Sequence, residues 1–196
     1  MLFVQRLTRF FMRLVTRILY NITVVDETTI STDYPTILVS NHKRILDPFV
    51  IAAYMPRKVL QSSHLMRAMT ASGYYYNKAL HLYLWSMGCF PAKTTKGHTY
   101  IGVEGALKIL NEGHGVLIFP EGKRVSESEQ SHVYPGIAHI RSEAPKHNVI
   151  LVKVEYTKRR GLRTKLNLCF FQENLDNKDA EGIMQAIYQK GFTDHA

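Results

Sequence analysis

His42 and Asp47 place a proton acceptor and a carboxylate five residues apart, just after an apolar run that predicts a buried strand at 36–40. An imidazole is well suited to take a proton from an alcohol near neutral pH, and a neighbouring carboxylate fixes its tautomer and stabilises the cation that forms. The pair therefore predicts a catalytic dyad. Asp47 followed by Pro48 is also typical of a helix N-cap with proline at the first helical position, so a purely structural role for Asp47 stays open.

A second segment with chemical potential is FPEGKR at 119–124, at the end of a strand predicted at 116–119. Such a loop can present backbone N–H groups and the planar guanidinium of Arg124 to a phosphate, and Glu121 can orient that guanidinium or a substrate hydroxyl. The alternative is a plain surface turn with solvated charges.

The elements that must position these two segments alternate between strands and helices, which predicts a layered α/β fold. We expect a mostly parallel or mixed central sheet flanked by helices, with an amphipathic helix at the N-terminus. In such sheets, functional loops lie at the carboxyl ends of strands, where both segments fall. Strands are predicted at 36–40, 59–61, 116–119, 149–156 and 166–171, an extended stretch at 88–91, and helices at 47–55, 65–69, 80–87, 99–111, 135–144 and 180–189.

Length and composition indicate one folded domain of 196 residues, with 45% hydrophobic and 21% charged residues. Lys and Arg outnumber Asp and Glu by 25 to 16, and the net charge of +9 favours anionic partners. Cys89 and Cys169 lack the paired spacing of a zinc site, and no histidine has convincing ligand spacing, so we expect no metal. A reducing compartment is the default expectation.

The N-terminal segment 2–20 is apolar but carries an arginine at every third or fourth position. A spanning helix would bury all four, at roughly 2.5 to 3.5 kcal/mol for each central arginine, and a signal-peptide cleavage site is missing. We therefore predict a helix at 1–22 that lies in an anionic membrane interface, with its arginines on lipid phosphates, followed by a domain at 23–196. The alternative is a helix packed on the domain's own core. The arginines are Arg6, Arg9, Arg13 and Arg17.

Taken together, Asn41-His42-x4-Asp47 and FPEGKR some seventy residues later resemble the 1-acylglycerol-3-phosphate acyltransferase family, the glycerolipid acyltransferases with an HX4D motif. Order, spacing and strand context all agree with that family. The segment 88–93 resembles its middle block, and 136–138 leading to 149–152 resembles its fourth. The resemblance covers roughly residues 36–156.

This resemblance implies an acyltransferase that uses acyl-CoA or acyl carrier protein as the thioester donor and a lysophospholipid, such as 1-acylglycerol-3-phosphate, as the acceptor. His42 is then the general base, Asp47 holds its other ring nitrogen, and neither a cofactor nor a covalent intermediate is expected. Arg124 and Lys93 are assigned to the acceptor phosphate, with Glu121 and Gly122 shaping that pocket. The apolar segments 65–69 and 80–85 are candidates for an acyl groove.

The resemblance also implies a peripheral protein at the cytoplasmic face of a membrane. Lys93 stands where the family usually has arginine, so a different lysolipid head group is an alternative. The basic cluster at 158–165 suggests, as another alternative, a nucleic-acid or lipid-binding module without turnover; since no nucleic-acid motif accompanies it, no nucleic-acid partner is expected. A thioester hydrolase acting through water at the same dyad also stays open.

Overall fold

The computed structural model describes residues 1–93, 100–125, 132–157 and 163–192. The helices are α1 (Leu2–Leu19), α2 (Asp47–Tyr54), α3 (Arg57–Ser62), α4 (Ser72–Tyr75), α5 (His81–Ser86), α6 (Tyr100–Asn111), α7 (Gly136–Glu143) and α8 (Ala180–Gln189). The strands are β1 (Tyr20–Glu27), β2 (Thr36–Ser40), β3 (Met66–Thr70), β4 (Phe90–Pro91), β5 (Gly115–Ile118), β6 (Asn148–Thr157) and β7 (Thr164–Phe171).

Over the described residues, the strands form one seven-stranded sheet in the order β1-β7-β6-β2-β5-β3-β4. All neighbouring strands are parallel except β6 and β7, which are antiparallel. β2 lies in the middle and every one of its residues is buried, as expected for a parallel strand covered on both faces. The mixed sheet, its flanking helices and the N-terminal helix confirm the predicted fold class.

The side chains of β2 alternate between two cores. Ile37 and Val39 belong to a cluster that includes the buried residues of α6, α7 and α8, while Leu38 belongs to a second cluster with Val50 and Ile51 of α2. This alternation follows from the period-two geometry of a strand. The protein therefore has three layers, with α2 and α3 on one face of the sheet and the three later helices on the other.

Two predicted elements are wrong in type. The segment 59–61, predicted as a strand, lies in α3, because Pro56 starts a helical turn and three apolar residues carry too little periodic signal to decide between the two states. The segment 65–69, predicted as helical, forms most of β3, since its half-buried position between β5 and β4 outweighs the helix propensity of Met and Ala.

Strand β1 was not predicted, and the boundary placed at residue 22 falls inside it. It follows α1 directly and pairs along its whole length with β7. Of the basic cluster at 158–165, residues 158–162 are outside the described part of the chain, and Thr164 and Lys165 belong to β7.

Parallel pairing brings the two sequence motifs to one edge of the sheet. β2 pairs with β5 so that Val39 lies opposite Ile118, and the chain leaves both strands at the same end. Asn41 then fixes the first exit, because its side-chain amide donates to the carbonyl of Val154 at 2.8 Å and its Oδ1 accepts from the Val154 N–H at 2.7 Å. The residue before His42 is thus bonded to the neighbouring strand β6 on both its donor and its acceptor side.

Candidate active site

The imidazole of His42 is hydrogen-bonded to Asp47, with 3.1 Å between Nδ1 and Oδ2. Because a carboxylate only accepts hydrogen bonds, Nδ1 is the donor, and in the neutral ring Nε2 is then the nitrogen with the lone pair. The ring packs on Phe119, with 4.4 Å between ring centroids, and lines the large cavity of the protein. The geometry therefore orients the ring so that, in its neutral form, Nε2 is the proton acceptor.

Asp47 is fully buried, at 0% exposure, and its carboxylate accepts four hydrogen bonds. Oδ2 accepts the backbone N–H groups of Lys43 and Arg44, both at 2.6 Å, as well as the proton of His42. Oδ1 accepts the hydroxyl of Tyr156 at 2.6 Å. Four donors match the capacity of a carboxylate, so its orientation is fully determined.

The simple capping interpretation of Asp47 is not what the structure shows. The N-cap of α2 is Leu46, which makes no side-chain capping bond, and Asp47 is already inside the helix. Its carboxylate faces back to the loop 42–44, and none of the hydrogen bonds it accepts comes from the N–H groups of α2 that follow it. The residue organises the loop that carries His42, although its place in the first turn also suits the helix dipole.

Glu121 is buried and lies behind His42. Its Oε2 accepts the backbone N–H of His42 at 2.7 Å, and its Oε1 accepts the hydroxyl of Tyr188 from α8. Burial raises the pKa of this carboxyl, although both hydrogen bonds and the nearby cation of Lys43 act in the opposite direction. Sequence analysis assigned Glu121 to the acceptor pocket, but it is not among the residues that line the cavity, and its carboxylate contacts the main chain that carries the imidazole.

The other predicted site residues, Lys93, Gly122 and Arg124, all line the same cavity as His42. Gly122 has a φ of +62°, and a Cβ there would come within 2.6 Å of the Tyr134 ring, so the turn requires glycine for two separate reasons. The ammonium of Lys93 lies 5.5 Å from the centre of the same ring. The turn therefore places Arg124 on the wall of the cavity that His42 and Lys93 also line.

The cavity has a volume of about 1840 Å³ and continues away from His42 into apolar surroundings. Its wall includes residues from both segments that the sequence analysis selected for a groove, although Trp85 is exposed at the surface. Apolar side chains of α2, α3 and α5 complete it. Among the lining residues are Phe49, Leu60, Leu65, Met66, Met69, Leu84 and Met87.

Helix α1 lies along this cavity and faces the domain with polar side chains. Gln5 donates to the carbonyls of Met66 and Met87 at 2.8 and 2.7 Å, Arg13 donates to Ala53 O at 2.6 Å, and Thr16 shares a hydrogen bond with Tyr54. Arg9 lines the cavity. Arg9 and Arg13 thus contact the domain, whereas the sequence predicted all four arginines on lipid phosphates.

The opposite side of α1 is apolar and exposed; its Phe10, for example, is 71% exposed. The outer side of α1 is therefore neither buried, as in a core helix, nor polar, as in a helix exposed to water. No helix in the described ranges combines the length and the apolar character needed to cross a bilayer. The exposed apolar face comprises Phe3, Leu7, Phe10, Phe11, Leu14 and Ile18.

Sequence reasoning missed two tyrosines that complete the site. Tyr156 could have been found, because Val152, Val154 and Tyr156 alternate along β6 and so share the sheet face that α2 covers. Burial and the charge of Asp47 raise its pKa, so the hydroxyl keeps its proton and donates. Tyr188 had no comparable signal, since it lies on a late helix far from both motifs. The described residues contain no cluster of three or more metal-ligating side chains.

Comparison with known proteins supplies two findings. The family model described as Acyltransferase matches residues 21–157. The chain is also similar in fold to the crystal structure of the 1-acyl-sn-glycerophosphate (LPA) acyltransferase PlsC from Thermotoga maritima, with a TM-score of 0.57 and 14% sequence identity. That match covers 96% of this chain and 81% of the other.

Proposed function

Because the chain belongs to the Acyltransferase family, we propose that it transfers a fatty acyl group from acyl-CoA or acyl carrier protein to the hydroxyl of a lysophospholipid, with 1-acylglycerol-3-phosphate as the acceptor. The family indicated by the sequence motifs is confirmed, and the protein is an acyltransferase. One observation carries the finer proposal: the imidazole of His42, oriented by a buried carboxylate, lines the same cavity as Lys93 and Arg124.

In the proposed reaction, Nε2 of His42 takes the proton of the acceptor hydroxyl while that oxygen attacks the thioester carbonyl carbon. The new C–O bond forms, the C–S bond breaks, and the departing sulfur receives the proton from the imidazolium. The products are an ester and a free thiol, and the base is regenerated. Asp47 stabilises the transient imidazolium. General base catalysis of this kind typically raises the reaction rate by about 10² to 10⁴.

The acceptor phosphate is proposed to bind at the turn that contains Gly122. Arg124 offers a planar fork of N–H donors, which suits two phosphate oxygens, whereas Lys93 offers a single compact charge. Glu121 is proposed to act differently from the sequence assignment. Because its buried carboxylate accepts the His42 N–H, it holds the main chain of the base and does not touch the phosphate.

The acyl chain is proposed to occupy the apolar part of the cavity between α1 and the sheet. Burying a hydrocarbon chain contributes about 0.8 kcal/mol for each methylene, so the apolar wall supplies affinity without polar contacts. Gln5, Arg6 and Arg9 of α1 also line the cavity. A chain placed there would extend from the thioester beside His42 towards the helix.

We propose that the exposed face of α1 docks the enzyme on an anionic membrane. A membrane fits this face because the helix presents its apolar side chains outward while Arg6 and Arg17 remain exposed next to them. Apolar burial and attraction of arginines to anionic lipid reinforce each other in such a helix. Since α1 also lines the cavity, a lipid acceptor would reach the site without crossing water.

The direct test is an assay of purified enzyme with radiolabelled acyl-CoA or acyl carrier protein against a panel of lysolipids. We expect a diacyl product with 1-acylglycerol-3-phosphate, thiol release that depends on the acceptor, and no product from His42→Ala with an unchanged circular dichroism spectrum. Thiol release that ignores the acceptor would instead identify a hydrolase. Turnover by the folded His42→Ala variant would remove the assigned base.

A further inference from the structure

One donor to Asp47 comes from outside the loop that carries the dyad. His42 Nδ1 and the backbone N–H groups of Lys43 and Arg44 all bind Oδ2, whereas among the described residues Oδ1 accepts only the hydroxyl of Tyr156, at 2.6 Å. Resting on the proposed function, we infer that Tyr156 is a positioning residue of the reaction, whose hydroxyl fixes the Asp47 carboxylate and through it the orientation and basicity of the His42 imidazole.

The contact matters because the terminal torsion of an aspartate side chain is soft. With donors on Oδ2 alone, the carboxylate could rotate about its Cβ–Cγ bond and turn the hydrogen-bonded His42 ring with it. Tyr156 prevents this from a fixed position, since it pairs with Leu166 of β7 and Asn41 is bonded to Val154, two residues earlier on β6. The hydroxyl thus ties the dyad to the sheet itself.

Two side chains lie beside the Tyr156 ring. The guanidinium of Arg44 lies 4.1 Å from the ring centre, and the ring of Tyr20 packs at 5.7 Å between centroids. On the side of the dyad where Tyr156 lies, the described groups are therefore the Arg44 cation and the phenols of Tyr20 and Tyr156. Glu121, which accepts the His42 backbone N–H, has Lys43 and Tyr188 as its own neighbours, so these are the other ionisable groups near the dyad.

Tyr156→Phe keeps the ring and removes only the hydroxyl. We expect kcat to fall about tenfold, with the KM values for donor and acceptor unchanged within about twofold, because the base is disordered and the substrate contacts are not. A carboxylate that has lost one donor attracts the imidazolium more strongly. The acid limb of the kcat/KM profile should therefore move to higher pH.

Tyr20→Phe is the matched control, since it removes a hydroxyl from the same aromatic cluster without touching Asp47. Its kcat and its acid limb should equal those of the wild type. In an Asp47→Asn background, adding Tyr156→Phe should cost less than about twofold, because the hydroxyl acts only through that carboxylate. An unmoved acid limb in Tyr156→Phe, or full additivity with Asp47→Asn, would refute the inference.

Two measurements keep the test decisive if Tyr156→Phe does not fold or if the acceptor proves to be another molecule. Incorporating 3,5-difluorotyrosine at position 156 keeps shape and hydroxyl but makes a stronger donor, and the acid limb should then move to lower pH. The Nδ1 proton resonance of His42 in the substrate-free enzyme needs no acceptor; we expect it to move downfield in Tyr156→Phe and to stay in place in Tyr20→Phe. Absence of the expected change in the fluorinated enzyme or in the resonance refutes the inference, whereas failure of the lysolipid assay alone refutes only the proposed acceptor.

Discussion

Replacing Asp47 with asparagine isolates the charge of the dyad from its geometry. The asparagine carbonyl can take the place of Oδ2 and accept the same three donors, while its NH₂ group faces the Tyr156 hydroxyl, which can rotate to accept. Shape and hydrogen bonding are thus nearly conserved. What disappears is the negative charge beside the imidazolium.

The size of the effect follows from the distance. At 3.1 Å and an effective dielectric constant of about 20, opposite unit charges attract by about 5 kcal/mol. Since about 1.4 kcal/mol corresponds to tenfold in rate, the loss is bounded at about 10⁴-fold. Both charges are delocalised over several atoms, which reduces the attraction, and we expect kcat to fall by about 10² to 10⁴.

The assay is single-turnover acyl transfer by Asp47→Asn, with the melting temperature measured on the same preparation. Asp179→Asn is the control, because Asp179 is a true N-cap of α8, accepting the Gly182 N–H at 2.8 Å. It should leave kcat unchanged. If Asp47→Asn melts earlier but keeps its rate per folded molecule, the carboxylate is structural and the reasoning fails.

Arg124→Ala should raise the KM for a phosphorylated acceptor by about 10- to 100-fold, because a charge-assisted hydrogen bond is lost, and should leave the donor KM unchanged. Replacement of the exposed Arg57 by alanine is the control. Equal effects on both substrates would remove Arg124 from the acceptor site. Phe10→Ser should weaken partition onto anionic vesicles about tenfold in a sedimentation assay, whereas Tyr34→Ser, an exposed aromatic just before β2, should not. Burial raises the pKa of Glu121 from 4.5, so the folded protein keeps a proton that the unfolded chain releases, and the unfolding free energy falls as pH rises through the window above that value. Urea titrations should show Glu121→Gln gaining stability over the wild type across that window, and a difference that does not vary with pH would contradict the assignment.

The pairing of the two motifs could be predicted because it depends on local signals. A continuous apolar run, a turn and a proline-led helix identify β2 and the loop after it, and parallel strands expose their carboxyl ends at one edge. These local signals were enough to select His42 and Asp47 as a candidate pair. Gly122 was likewise visible from its place in the turn.

The side of the site that depends on distant contacts could not be read in the same way. Glu121 was assigned to substrate because nothing local shows that its carboxylate turns towards the His42 N–H and meets Tyr188 from α8. Similarly, the sequence predicted lipid contacts for the arginines of α1, but in the folded protein Arg13 donates to Ala53 O. Long-range docking decides the direction of such side chains.

The place of β1 in the sheet has a consequence for synthesis on the ribosome. Its neighbour is β7, so β1 finds its partner only when residues near 171 have been made. Until then the edge of β1 is unpaired and the exposed apolar face of α1 is uncovered. Binding of α1 to lipid during synthesis would cover that face, so the bilayer would assist folding as well as supply the site of the proposed reaction.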